Sequence, residues 1–184
     1  MEFAAEDDST GKYAMTHGKY PDLEAYLDMH LMGATNGVRL FEAAARSWSG
    51  TRHQEVITRL AQDIDDERAA LRRAIEQFGH RPGRVKMFVA HSMARLAAVN
   101  PVNPLRRKGN AGAQLELETL LSLLRGKEAL WETLISLLHS APAADRLGFT
   151  EEELLRLLTA ARQQQAEIAD IMKESAPDRF LRVD

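Results

Sequence analysis

At 184 residues, with 45% apolar and 28% charged side chains, the chain has enough material for one well-buried core and too little for two ordinary ones. That balance excludes wholesale disorder, and the lack of cysteine excludes a disulfide framework and thiolate metal ligands while permitting a reducing compartment. The net charge of −3 is unevenly spread: Gly79 to Gly112 holds seven basic residues and no acidic one, a local +7 set against −10 elsewhere.

Residues 1–19 are polar and aperiodic and read as an arm. Their acidic start (MEFAAEDDST) lacks the basic-then-apolar order of a signal peptide, and no window approaches the ~20 apolar residues of a membrane span, so a cytoplasmic protein is expected. Pro21 and Asp22 open a first long helix. Its stripe of Leu23, Leu27, His30, Ala34, Gly37/Val38, Phe41, Ala45 and Trp48 follows the three-and-four spacing of one helix face, and Gly50 stands where a left-handed terminator belongs. Thr51-Arg52-His53-Gln54 reads as a capping box for a second helix. That helix carries Ile57, Leu60, Ile64, Glu67, Leu71, Ala74/Ile75 and Phe78 on its stripe and ends at Gly79. Arg84 to Ala97 predicts a shorter basic amphipathic helix, after which Pro101, Pro104 and Gly109-Asn110 break the chain.

From about Gln114 a third long helix presents Leu117, Leu120, Leu124, Lys127, Trp131, Leu134 and Leu138, stopping before Pro142. A fourth starts with the capping box Thr150-Glu151-Glu152-Glu153, with Phe149 and Leu154 spaced as a hydrophobic staple. Its stripe is Leu154, Leu158, Ala161, Gln165, Ile168 and Met172, closed by Ser175 and Pro177, which leaves 177–184 as a tail. No strand pattern competes. The chain is therefore expected to be all-α: a four-helix bundle over residues 20–176, made of two antiparallel hairpins joined by a long crossover at 79–112 that contains the short basic helix.

Two helical hairpins joined by a long crossover resemble the ferritin-like fold. Segments such as Tyr26-Leu-Asp-Met-His30-Leu-Met-Gly-Ala34 and Arg125-Gly-Lys127-Glu-Ala-Leu-Trp131 are also similar to ferritin-like proteins of actinobacteria. The resemblance implies a fold but no residue roles. Metal-binding members of that family point a Glu from two helices and a Glu-x-x-His from the other two at a di-iron centre. Here the residues three before His17, His30, His53, His80, His91 and His139 are Ala14, Leu27, Gly50, Gln77, Phe88 and Ser136, none of them acidic. A working di-iron site is not expected. Nor is an enzyme, since the sequence has no phosphate-binding loop, nucleophile elbow or zinc-protease motif.

Each long stripe has one strongly polar residue: His30, Glu67, Lys127 and Gln165. In antiparallel hairpins all four fall within about a turn of one level. An unpaired charge in a dry core costs several kcal/mol, so the expectation is a buried Glu67–Lys127 ion pair hydrogen-bonded to His30 and Gln165, its ammonium standing where a metal-binding relative holds a cation. No cofactor is then required. The alternative is an iron or manganese site on Asp28, His30, Asp63 and Glu67, with Lys127 turned away. The basic residues Arg84, Lys86, Arg95, Arg106, Arg107 and Lys108 offer a surface for anionic lipid or nucleic acid. Packing against the acidic remainder of the chain is the favoured reading, because Phe88 is the only aromatic residue there. The bundle leaves room for a homo-oligomer or a protein partner. Gly33 and Gly37 read as a site of close helix packing beside Trp131, or else as a small ligand pocket.

Overall fold

A computed structural model describes residues 20–81, 110–140 and 146–181. The arm at 1–19 and the basic residues Arg84, Lys86, Arg95, Arg106, Arg107 and Lys108 lie outside the described residues, as does the expected short helix at 84–97. Four long helices make up the described part: α1 (Pro21–Ser47), α2 (Gln54–Gln77), α3 (Asn110–Ser140) and α4 (Glu151–Phe180). Among the described residues there is no strand, and no helix is long and apolar enough to cross a membrane.

The helix ends follow local chemistry. Gly50, Gly79 and Gly148 have φ of 78°, 90° and 69°, a region where a side chain is strained, and each lies in a turn at a helix end. Thr150 and Glu153 form the expected capping box, the hydroxyl accepting from Glu153 N at 3.2 Å and the carboxylate accepting from Thr150 N at 2.9 Å. The box expected at Thr51 does not form. Gln54 Oε1 instead accepts from Gly50 N at 2.8 Å, while the Thr51 hydroxyl donates to Trp48 O at 2.7 Å. Both side chains brace the α1–α2 turn, and α2 begins after His53 with no side-chain cap. At the far end, α4 runs through Pro177 to Phe180 and does not stop at Ser175. A proline removes one ladder donor, and here the extra turn is held by buried Arg179, which donates to Gln114 Oε1 at 2.5 Å and lies over the Trp48 ring.

Buried side chains fall into two clusters along the bundle. One joins Phe41, Trp48, Ile57, Leu60, Leu117, Leu120 and Ile168; the other joins Leu27, Leu31, Leu71, Ile75, Trp131, Leu134 and Leu154. Each helix contributes to both, so direction can be read from order: α1 and α4 run one way, α2 and α3 the other. The chain leaves α2 at one end of the bundle and enters α3 at the opposite end. Helix α1 packs on α2 and on α3, and α4 packs on α3 and on α2. The parallel pair α2 and α3 thus face each other across a diagonal. Polar residues occupy the level between the two apolar clusters.

Candidate functional site

Glu67 projects from the buried face of α2, flanked along that face by Ile64 and Leu71, and only 9% of the residue is exposed. Lys127 comes from α3, between Leu124 and Leu130, and its ammonium donates to Glu67 across the diagonal. It donates also to Gln164 Oε1, and Gln164 Nε2 donates to Glu67 Oε1 at 3.0 Å. A closed triangle results: each oxygen of Glu67 takes a hydrogen bond from a different helix, and Gln164 uses both ends of its amide. Burial pushes the Lys127 ammonium below the ordinary lysine value, and the Glu67 carboxylate works in the opposite direction. The lysine stem lies among leucines, as expected of a long amphipathic side chain.

Gln164, and not Gln165, is the fourth-helix member. Gln165 points toward α3, where its amide donates to Glu128 Oε2 at 2.7 Å beside the Arg162–Glu128 ion pair. The buried face of α4 runs Ala161, Gln164, Ile168, Ile171, which shares Ala161 and Ile168 with the expected series and has Gln164 and Ile171 in place of Gln165 and Met172. His30 also departs from expectation. It reaches the same level from α1, but its ring packs edge-on against Tyr26 at 4.5 Å, and among the described residues no hydrogen bond joins it to the triangle. Burial lowers its pKa from the usual 6.5.

The alternative metal set does not assemble. Asp28 lies toward the end of the bundle, 3.1 Å from His80 Nε2, with Glu24 on the other ring nitrogen at 3.4 Å. Asp63 is 40% exposed and pairs with Arg59 at 3.4 Å. No group of three or more His, Asp or Glu side chains that could hold a metal occurs among the described residues.

Next to the triangle is a cavity of about 490 Å³ between α1, α2 and α3. Its polar lining consists of His30, Glu67, Arg68, Ser122, Lys127 and Trp131, and the rest is apolar or glycine. Close packing at Gly33 and Gly37 is not what the structure has: a Cβ added there, or at Gly126 on the facing helix, meets nothing within 4 Å. These three glycines line the cavity and widen it. Trp131 is 1% exposed, and its indole Nε1, like Arg68 Nε, is buried without a hydrogen-bond partner among the described residues.

Three buried polar residues have no counterpart in the sequence reading. Glu116 is 4% exposed and accepts from Ser47 Oγ at 2.9 Å and Trp48 Nε1 at 3.2 Å. Arg179 and His53 flank the same tryptophan. The available signal was Trp48 itself, since a tryptophan at a helix end needs an acceptor for its indole N–H when buried. Set against known proteins, the chain matches no family model, no curated protein and no solved structure, and its function must be read from this chemistry alone.

Proposed function

We propose that this protein is a ferritin-like helical bundle without a working di-iron site, a structural or interaction protein whose interior is closed by its own ion pair. The observation that carries the proposal is the commitment of both Glu67 oxygens, one to Lys127 and one to Gln164. The charge of that carboxylate is already matched by the ammonium it holds, and each of its oxygens has one lone pair committed. The ammonium beside it adds repulsion of about 4 kcal/mol per unit positive charge at 4 Å, taking an effective dielectric constant of ~20. The helix directions, with the long connection joining opposite ends of the bundle, support the ferritin-like reading of the fold. Against an enzyme stands His30, whose nearest ring neighbour is Tyr26 and which has no carboxylate partner among the described residues.

Metal analysis of the untagged full chain, followed by anaerobic titration with Fe(II), tests this. The expected outcome is no stoichiometric iron or manganese before or after titration. Stoichiometric iron that disappears in Glu67→Gln would reverse the proposal.

A further inference from the structure

A primary amine lines the cavity beside the triangle, and ion pairing does not use all of it. An ammonium has three N–H groups. Lys127 gives one to Glu67 and one to Gln164, and no third acceptor for it occurs among the described residues. The walls around it are chiefly apolar, and Gly33, Gly37 and Gly126 leave open space where a Cβ would stand. Met29, 44% exposed, and exposed Ser122 and Gly126 also line this cavity of about 490 Å³, so it opens to solvent between α1 and α3. A space of that size admits a small molecule. Burial favours the neutral amine, the form that attacks carbon, by pushing the Lys127 ammonium below the ordinary lysine value. The Glu67 carboxylate, which opposes that shift, is also placed to take the proton the amine must lose.

We propose that Lys127 is a covalent attachment site for an apolar aldehyde, which enters this cavity and condenses with Nζ to a protonated Schiff base whose counterion is Glu67. Lys127 first passes a proton to Glu67, and the freed nitrogen pair forms the bond to the carbonyl carbon. The carbonyl π pair moves to oxygen, and a proton shifts from nitrogen to that oxygen to give a neutral carbinolamine. The nitrogen pair then expels the hydroxyl, which leaves as water with the proton held by Glu67. One ammonium and one aldehyde thus give one iminium and one water, with no oxidant or reductant involved. The product suits the triangle. An iminium nitrogen keeps a single N–H, which Glu67 accepts, while Gln164 gives up its bond from Lys127 and still donates to Glu67 Oε1. A positive charge stays beside the carboxylate, so attachment preserves the interior ion pair. This role goes beyond the structural one proposed above and does not depend on the bundle being ferritin-like.

The test treats the full chain at neutral pH with one equivalent of 3-phenylpropanal and traps the imine with cyanoborohydride, reading intact mass and peptide maps. The sequence has six lysines, and Lys173, its side chain 76% exposed, is the surface control. An ordinary lysine is almost wholly protonated at that pH and reacts slowly. Expected is one adduct per chain, on Lys127, with Lys173 left unmodified. Glyoxylate, an aldehyde carrying a charge, should leave Lys127 unlabelled because the walls are apolar. Gly37→Leu, placed in open space away from the triangle, should keep the helical spectrum and lose the adduct. Gly126→Leu is the second variant should the first fail to fold. Labelling spread over the other lysines or the α-amine without preference for Lys127, equal labelling of Lys127 by glyoxylate, or undiminished labelling in the folded leucine variants overturns the proposal. Iron uptake is read in a separate experiment, so either proposal can fail alone.

Discussion

Glu67 and Lys127 differ in how far each can retreat to water. Both side chains line the cavity, but the glutamate has a short stem and is 10% exposed, whereas the lysine has a four-carbon stem and is 13% exposed. Removing Glu67 lets the ammonium swing outward; removing Lys127 strands a carboxylate with only an amide beside it. Lys127→Met should therefore destabilise more than Glu67→Leu in thermal unfolding. His30 gives a pH test whose sign follows from its lowered pKa. Below the ordinary value of 6.5 the unfolded chain binds the proton before the folded one does, so the stability that neutral His30 contributes is full above 6.5 and declines as pH falls. In His30→Gln that share of the decline should vanish between about pH 7.5 and 5. His53, lowered in the same direction, remains in both proteins, so the difference curve isolates His30.

At the level of elements, Thr150 caps α4 with both halves of its box in place. Thr150→Ala should cost about 1 kcal/mol, a drop of roughly 2–4 °C in Tm. Gly33, Gly37 and Gly126 are helical and face open space, so each change to Ala should stabilise by roughly 0.5–1 kcal/mol and raise the Tm. Lower Tm values would mean that the helices approach more closely there than the cavity allows. The same elements show what the sequence could reveal. Glu67 and Lys127 stood out because each interrupts an otherwise apolar series, and apolar spacing fixed the helices themselves. Gln164 could not be chosen over Gln165, since positions 163–165 are all glutamine and steps of three and four from Ala161 stay on one side of the helix. A glycine on a stripe removes a side chain whether the neighbour closes in or stays away, so the pattern alone could not distinguish a packed crossing from a cavity. Thr51 and Gln54 had the spacing of a cap, but the tight turn at Gly50 consumed their bonding capacity.

Across the whole molecule, two apolar half-cores meet at one polar level, and the connection at that level runs along the diagonal between α2 and α3, whose backbones are out of contact. A slip of either hairpin by one turn would pull Lys127 away from Glu67 and bury both charges alone, so the triangle penalises wrong registers more than it stabilises the right one. Register, on this account, is what the interior ion pair provides. The most direct measurement is the unfolding free energy of Lys127→Met, Glu67→Leu and the double variant in denaturant. The account predicts a loss of about 3–5 kcal/mol for Lys127→Met and recovery of most of it in the double variant, because two apolar side chains replace a pair that was costly to desolvate. Small losses that simply add would contradict it.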